Sequence, residues 1–230
     1  VVKYTFPENI SDREFKAAFR EINENPDVDG ILVLRPLPEQ IVQEDIDRMI
    51  HPLKDLDGIS PVNIAKVFSG DNTGFAPCTA EAVMDILRLN DIPVAGRRAV
   101  IVGRSMVVGR PLAMLFLQEN ATVTVCHTRT VDLPEICRSA QILVAAAGCA
   151  KMVDRTYVGE GAIVVDVGIN VDENGHLCGD VDFEDIREQA SMATPVPGGI
   201  GSVTTAVLAK RLVNAALAQA RAERETNAGL

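Results

Sequence analysis

The sequence has little of what metal and redox centres need. It holds only three histidines and five cysteines in 230 residues. His51, His127 and His176 have no ligand spacing with the cysteines, so we expect no metal site. The cysteines are Cys78, Cys126, Cys137, Cys149 and Cys178. Their odd number, without C-x-x-C pairs or a signal peptide, indicates reduced thiols in the cytoplasm, and we expect them to be buried.

The sequence also lacks an excess of basic residues and a long apolar run. Its 22 Lys and Arg stand against 32 Asp and Glu, which gives a net charge of −10. Since nothing clusters the basic residues into a patch, no nucleic-acid partner is expected. No apolar run reaches the roughly 18 residues of a membrane span, so we expect no membrane association.

A run rich in proline and glycine, Pro195 to Gly201, stands out among the features that are present. Proline restricts φ and glycine permits positive φ, so the run specifies one backbone shape that can approach a ligand closely. An apolar helical pattern follows it, which would place a helix N-terminus beside that ligand. The alternative is an elaborate loop between a strand and the last helix.

A second candidate site is the glycine turn after the apolar run at residues 99–102. The dinucleotide-binding fingerprint is G-x-G-x-x-G at the junction of a strand and a helix. Here Gly103 opens the turn, Ser105 stands at the second glycine, and Gly109 comes one residue late. The match alone is weak.

The next apolar run, at residues 121–126, strengthens the case for a dinucleotide. NAD enzymes carry an acidic residue after this strand to bind the ribose 2′-hydroxyl. This sequence has Thr128 and Arg129 there instead. A hydroxyl and a guanidinium suit a 2′-phosphate, so the pattern favours NADP.

Periodicity predicts an α/β protein. Helices are expected at residues 11–25, where Ser11 and Glu14 form a capping box, near residues 44–50, from about Thr79 to Leu89, and from Thr204 to Arg221. Residues 222–230 are expected to fray. A short buried strand is predicted at Gly30 to Val33. Further strands near 99–102, 121–125, 141–145 and 162–166 alternate with helical patterns, which indicates a parallel sheet covered on both faces.

At this point the chain resembles a family, the bifunctional methylenetetrahydrofolate dehydrogenase/methenyltetrahydrofolate cyclohydrolases. The resemblance covers nearly the whole chain, in the family's order. It rests on residues 30–33 with 36–38, 54–58, 77–79, 102–105 with 108–111, 166–170, 179–181 and the run from Pro195 to Gly201.

The resemblance implies a Rossmann domain beside a smaller α/β substrate lobe that the C-terminal helix completes. The implied boundaries are residues 1–76 for an N-terminally incomplete folate lobe, 77–201 for the NADP-binding domain, and 202–230 for the returning helix and tail. It also implies a homodimer in one-carbon metabolism and purine biosynthesis. The activity would be NADP-dependent oxidation of 5,10-methylenetetrahydrofolate to the methenyl form, with hydrolysis to 10-formyltetrahydrofolate in doubt.

The resemblance assigns roles residue by residue. Asp57 would hold the pterin N–H groups, unless it is an ordinary turn or cap aspartate. The other assignments are Pro197, Gly198 and Gly199 to the tetrahydrofolate substrate, Gly103, Arg104 and Ser105 to the pyrophosphate and adenosine ribose, Arg104, Thr128 and Arg129 to the 2′-phosphate, and Ile169 to the nicotinamide. Arg129 as a solvated side chain and Ile169 as packing remain open alternatives.

Two departures from the family concern the hydrolytic step. The family's Tyr-x-x-x-Lys motif is absent from this sequence, and we expect a longer protein to carry it upstream. Leu34 stands where the family has a glutamine that positions the lysine, and leucine offers no hydrogen bond. Cyclohydrolase activity is therefore in question, with Arg35 as a candidate replacement, and the catalytic residues stay unassigned.

Two other functions remain open at this stage. One is a two-lobed dehydrogenase acting on small hydroxy acids, in which Lys54 and Asp57 would form a catalytic pair, although the run from Pro195 to Gly201 would then be unexplained. The other is a folate- or nucleotide-binding protein without catalysis.

Overall fold

The computed structural model describes residues 1–227. Its helices are α1 (Asp12–Glu24), α2 (Gln43–Met49), α3 (Pro61–Ser69), α4 (Cys78–Leu89), α5 (Gly109–Gln118), α6 (Leu133–Arg138), α7 (Phe183–Ile186) and α8 (Ile200–Asn227). Its strands are β1 (Arg98–Val102), β2 (Thr122–Cys126), β3 (Ile142–Ala145), β4 (Ile163–Asp166), β5 (Asn170–Val171), β6 (Leu177–Cys178) and β7 (Met192–Ala193).

Five of these strands form one parallel sheet in the order β2-β1-β3-β4-β7. The chain runs from β1 outward to β2 and then returns to the other side of β1 for β3. This reversal makes the gap between β1 and β3 a topological switch point, where open α/β sheets bind ligands beyond the carboxyl ends of their strands.

Two apolar clusters cover the two faces of the sheet, as the repeated strand and helix patterns predicted. One face packs against α4, α5 and the first turns of α8, with Leu87, Phe116 and Val207 among its buried members. The other face carries Cys137 and Ile186 from α6 and α7. Strands buried on both faces read as continuous apolar runs, which is why β1, β3 and β4 were visible in the sequence.

A third cluster forms the core of the N-terminal lobe. Phe15 and Phe19 of α1 pack with Ile46 of α2 and with Ile31. The predicted capping box is present, because the Ser11 hydroxyl accepts from the Glu14 N–H while the Glu14 carboxylate accepts from Ser11. Local sequence therefore determines where α1 begins.

Several predictions about the elements were wrong. Gly30 to Val33 is not a strand: only Ile31 bridges to Asp55, and Leu32 is exposed. The sequence analysis missed α3, α7, the β5–β6 hairpin and β7. Pro77, rather than a residue of the Thr79 segment, occupies the N-cap of α4.

The last helix also differs from its prediction at both ends. α8 begins at Ile200, four residues before Thr204, and continues to Asn227. Residues 222–227, which were expected to fray, are therefore helical, and residues 228–230 lie outside the described part. Packing along α4 extends the helix, and the Gln219 side chain donates to the Asp29 carbonyl in the N-terminal lobe at 2.7 Å. Among the described residues, no helix combines the length and apolarity that crossing a membrane requires.

Candidate functional site

The loops that follow the five parallel strands share one edge of the sheet, and they contain most of the predicted site residues. Across the edge, in strand order, come Thr128 and Arg129 after β2, Gly103 after β1, the segment 146–149 after β3, Ile169 after β4, and the Pro195 to Gly201 run after β7. Strand order, which the sequence does not state, brings together residues far apart in the chain.

The glycine turn after β1 is tightly packed. Gly103 has φ +127°, and a Cβ there would lie 2.1 Å from the Ala146 carbonyl oxygen. A Cβ on Gly109 would lie 2.0 Å from the Gly103 carbonyl oxygen, so the late glycine is needed where the helix passes over the turn. Ser105 closes this turn, because its hydroxyl oxygen accepts from the Val108 N–H at 3.1 Å.

The turn leaves donors for an anion. Within residues 1–227, the backbone N–H groups of residues 104–107 donate to no protein acceptor. They precede α5, whose N-terminus adds the positive end of a helix dipole. The geometry therefore has room and donors for a phosphate group, and phosphate binding at this turn stays a prediction.

The basic side chains beside the turn are free to bind. The Gly103 N–H donates to the Cys126 carbonyl at 2.9 Å, which brings the end of β2 next to the turn. Arg104, Thr128 and Arg129 are exposed, and neither guanidinium forms an ion pair in the described chain. Two unneutralised guanidiniums at one corner suit a 2′-phosphate.

Two buried aspartates hold the neighbouring loops, and the sequence analysis gave them no role. Asp180 is 0% exposed. Its Oδ2 accepts from the N–H groups of Ala147 and Gly148, and its Oδ1 accepts from Cys149 and from the Asn170 side chain, at 2.5–2.9 Å. One carboxylate thus ties the loop after β3 to the hairpin strand β5.

The second aspartate, Asp166, accepts from Gly168, Asp180 and Val181 backbone N–H groups at 2.9–3.0 Å. Burial raises the pKa of its carboxyl above the ordinary value, and these hydrogen bonds oppose that rise. A Cβ on Gly179 would lie 1.8 Å from Asp166 Oδ2, and one on Gly168 would lie 2.3 Å from Asp180 Oδ1. The signal available in the sequence was a glycine close to each aspartate.

The loop after β4 presents Ile169, which is 71% exposed. Its neighbours are anchored, since the Gly168 N–H donates to Asp166 and the Asn170 amide donates to Asp180. An exposed apolar side chain between anchored residues is not core packing, so that alternative is wrong for Ile169.

The run after β7 has the special backbone that its composition predicted. Gly198 has φ +100°, and a Cβ on Gly199 would lie 2.4 Å from the Pro195 carbonyl oxygen. Pro197 and Gly198 are exposed, whereas Gly199 is buried under the first turn of α8. The run therefore offers backbone to solvent immediately before a long helix.

Asp57 lies at the N-terminus of α4. Its Oδ1 accepts from the Cys78 N–H at 3.1 Å, so the carboxylate stabilises the start of a helix whose N-cap residue, Pro77, has no capping side chain. In the part of the chain that the structure describes, Cys78 is the only protein donor to Asp57. The other acceptor positions of the carboxylate are available to a ligand.

The surroundings of Asp57 are apolar enough to matter electrostatically. The side chain is half-buried, and desolvation raises the pKa of its carboxyl, with the nearby Asp55 adding to the rise. The Cys78 hydrogen bond and the Arg35 and Arg211 guanidiniums oppose it. The same burial raises the pKa of the Cys78 thiol to about 11, so this cysteine is not a nucleophile at neutral pH.

A cavity of about 170 Å³ lies between the Asp57 segment and the glycine turn. Gly58 and Pro77 lie among its lining residues from the first part of the chain, and Met106 and Arg110 from the region of the glycine turn. The two candidate binding regions therefore meet across a small apolar space.

Leu34 and Arg35 lie on the loop before α2, and the Arg35 side chain is paired with a residue of that helix. Leu34 is 73% exposed. Arg35 forms an ion pair with Asp47 at 2.7 Å, and Gln43 donates to the same carboxylate oxygen. This pairing directs the Arg35 guanidinium to α2.

The structure argues against a Lys54–Asp57 catalytic pair. The Lys54 ammonium is buried and donates to the carbonyls of Asn23 and Asn25 at 2.9 and 2.7 Å. It therefore satisfies carbonyls at the C-terminal end of α1. Four of the five cysteines are buried as expected, but Cys149 is exposed, which corrects that prediction. Residues 1–227 contain no group of three or more His, Cys, Asp or Glu that could hold a metal ion.

Comparison with known proteins agrees with this geometry. The tetrahydrofolate dehydrogenase/cyclohydrolase NAD(P)-binding domain model matches residues 77–220, and the catalytic domain model of the same family matches residues 1–57. The bifunctional protein FolD of Clostridium kluyveri is 53% identical over 210 residues, which are 91% of this chain and 74% of that protein.

Solved structures give the same result. The FolD methylenetetrahydrofolate dehydrogenase/cyclohydrolase of Campylobacter jejuni superposes with a TM-score of 0.90 at 43% identity, over 92% of this chain and 75% of that one. The Trypanosoma brucei enzyme, solved with NADP cofactor and an inhibitor, has a TM-score of 0.87 at 36% identity, over 94% and 75%. From the motifs, the fold and these matches together, the chain belongs to the tetrahydrofolate dehydrogenase/cyclohydrolase family.

Proposed function

We propose that this protein oxidises 5,10-methylenetetrahydrofolate to 5,10-methenyltetrahydrofolate with NADP, and that hydrolysis to 10-formyltetrahydrofolate follows. The observation that carries the proposal is the order of loops along the sheet edge. Thr128 and Arg129 follow β2, the glycine turn follows β1, Ile169 follows β4, and the Pro195 to Gly201 run follows β7. A dinucleotide that binds next to a second ligand would contact the loops in this order.

The residues present fit NADP. The glycine turn has no room for a Cβ at Gly103 or Gly109 and leaves N–H groups free for the pyrophosphate, while Arg104, Thr128 and Arg129 would hold the 2′-phosphate. Ile169 would contact the nicotinamide end. NADP, when bound, supplies the ring that accepts a hydride.

The folate would lie between Asp57 and the exposed backbone of Pro197, Gly198 and Gly199. Asp57 would accept charge-assisted hydrogen bonds from the pterin amino and ring N–H groups and so orient the methylene carbon. The hydride leaves that carbon, and the two adjoining nitrogen lone pairs stabilise the resulting cation. The reaction therefore needs alignment of two bound rings more than a protein base.

Hydrolysis makes other demands, because a water must be activated and a proton managed. Leu34 supplies no polar group for a catalytic lysine, and Arg35 is paired with Asp47. We therefore propose that hydrolysis is the slower of the two steps.

An assay of both steps tests the proposal. Purified protein is incubated with 5,10-methylenetetrahydrofolate and either NADP or NAD, and reduced cofactor and the methenyl species are followed separately by absorbance. Formation of NADPH with the methenyl product supports the proposal. Folate binding without reduced cofactor would indicate a non-catalytic protein, and reduction driven by a small hydroxy acid would indicate the other dehydrogenase class.

We also propose a cytoplasmic homodimer that supplies one-carbon units to purine biosynthesis. The β5–β6 hairpin supports association, because its cross-strand neighbours Val171 and Leu177 are both exposed. Sedimentation of the wild type beside a Val171→Lys, Leu177→Lys variant tests this, and an unchanged sedimentation coefficient would count against the hairpin.

A further inference from the structure

Arg211 is a buried charge that the proposed chemistry does not use. It lies on α8, 4% exposed, where most arginines of a terminal helix would reach into water. Its Nη1 donates to the Ala76 carbonyl, its Nη2 pairs with the Glu81 carboxylate, and its guanidinium carbon lies 5.0 Å from the centre of the Phe75 ring. Two neighbouring residues before α4 and one residue on α4 therefore hold this one side chain.

That segment, Phe75 to Cys78, determines where Asp57 points. The Cys78 N–H donates to Asp57 Oδ1 at 3.1 Å, and the Cys78 thiol donates to the Leu56 carbonyl at 3.2 Å. Gly58 has φ +62°, and a Cβ there would lie 2.2 Å from the Phe75 carbonyl oxygen. The backbone on both sides of Asp57 thus rests on residues that Arg211 fixes.

The charges around Asp57 come from four elements. Asp55 lies on its own loop, Cys78 on α4, Arg35 on the loop before α2, and Arg211 on α8. Arg35 is largely committed to Asp47, whereas Arg211 is buried with little water to screen it. Burial lowers the pKa of Arg211, while Cys78, Asp57 and Asp55 oppose this, and an arginine stays protonated at any working pH.

Arg211 also shares its partner with an exposed neighbour. Lys210 lies 3.8 Å from Glu81 and 3.6 Å from Asp85, and its side chain is well exposed. Lys210 thus has the same charge, helix and carboxylate partner, without contact to the Phe75 to Cys78 segment. It is a matched control.

We infer that Arg211 is a positioning residue for the folate site: through the Phe75 to Cys78 segment it orients Asp57 toward the pterin N–H groups, and its buried positive charge favours the carboxylate over the neutral acid. The inference rests on the proposed function, because it takes Asp57 as the folate ligand. It adds that the C-terminal helix supplies part of the substrate site from the opposite end of the chain.

The test compares Arg211→Met, Arg211→Lys and Lys210→Met with the wild type. Binding of tetrahydrofolate, which lacks the one-carbon bridge on which both proposed steps act, is titrated without oxygen from pH 5 to pH 8, and NADP binding and thermal unfolding are measured in parallel. For Arg211→Met we expect folate affinity at pH 7 to fall about tenfold, the effect of losing one hydrogen bond to a charged group, with NADP affinity within twofold of the wild type.

The pH profile separates an electrostatic role from a merely structural one. An ionised Asp57 is needed for binding, so affinity falls as pH drops through its pKa, and removal of a nearby cation moves that fall to higher pH. We expect the fall in affinity to lie at higher pH in Arg211→Met than in the wild type. Arg211→Lys should keep the wild-type pH profile while losing part of the affinity, and Lys210→Met should change neither.

Three results would overturn the inference. They are wild-type folate affinity in Arg211→Met, equal weakening of folate and NADP, and a pH profile that moves as much in Lys210→Met as in Arg211→Met. If Arg211→Met does not fold, Arg211→Lys decides through affinity, since an unchanged folate affinity there excludes positioning by the two-armed contact. A wild type that binds no folate would instead refute the proposed function, and the inference with it.

Discussion

Replacing Asp57 by alanine should remove folate binding and leave cofactor binding intact. The side chain belongs to the segment near α3 and α4, whereas the proposed phosphate site lies at the carboxyl ends of β1 and β2. The two regions face each other across the small cavity lined by Gly58 and Met106, and no hydrogen bond within residues 1–227 joins Asp57 to the glycine turn. A change at Asp57 therefore has no direct route to the glycine turn.

The magnitude follows from what Asp57 already does in the protein. One acceptor position of the carboxylate is occupied by the Cys78 N–H, so the pterin would use the others. Hydrogen bonds to a charged acceptor contribute about 1.5–3 kcal/mol each. Because desolvation already disfavours the charge, we count one such bond as the net gain, and the folate Kd should rise about 10- to 150-fold.

Titration calorimetry of both ligands on Asp57→Ala, Asp57→Asn and Asp71→Ala measures this effect. Asparagine keeps the shape and the acceptor for Cys78 but loses the charge, so Asp57→Asn should weaken folate by about tenfold. Asp71 is a matched control, an exposed aspartate whose side chain accepts only within its own turn, from Thr73. Its replacement should leave both affinities unchanged.

Normal folate binding by Asp57→Ala would refute the assignment. Asp57 would then be only a cap for α4, and its loss would appear as about 1 kcal/mol of lower stability. Equal loss of folate and NADP binding would refute it in another way, by showing that Asp57 supports the whole structure rather than one ligand.

The remaining predictions concern the cofactor, the hydrolytic step and the loop architecture. Arg104→Ala should raise KM for NADP at least about tenfold while barely changing that for NAD, because one charge-assisted contact is lost; equal wild-type kcat/KM for NADP and NAD would sink the 2′-phosphate assignment. Methenyltetrahydrofolate should accumulate during turnover, and Leu34→Gln should raise the hydrolytic rate selectively in a form that carries the family lysine; absorbance of the methenyl species beside NADPH decides, and an unchanged hydrolytic rate in Leu34→Gln counts against this role. Gly179→Ala should destabilise the protein by about 3 kcal/mol through overpacking against Asp166, whereas Gly201→Ala, with open space around its Cβ, should not; urea unfolding measures both, and equal midpoints would contradict the packing argument.

Several helix starts, strands and turns of this protein could be predicted from the sequence, because they depend on interactions between nearby residues. The capping box at Ser11 marks where α1 begins, because a cap involves residues only three positions apart. The strands β1, β3 and β4 are apolar because both faces of the sheet are covered there. The glycine turn at Gly103 and the special backbone at Gly198 were also recognisable, since each depends on φ values or close approach that few residues allow.

Tertiary structure decided what local patterns leave open. A strand forms only where a second strand pairs with it, and local sequence does not show which segment that is. In the described chain the apolar run from Gly30 to Val33 forms a single bridge, between Ile31 and Asp55, and is therefore not a strand. The same holds for α3, because this short helix packs against α5, which is distant in the sequence.

Local patterns were sufficient to predict α1, α4 and the strands β1 to β4, together with residue types that suit NADP and folate, because turns, caps and apolar periods act over a few residues. Three features depend on tertiary contacts: the order of strands along the site edge, the hydrogen bonds by which Asp180 joins the loop after β3 to β5, and the contact of Arg211 with the Phe75 to Cys78 segment. Each of these joins residues from separate elements, and such contacts are set by the packing of the whole chain.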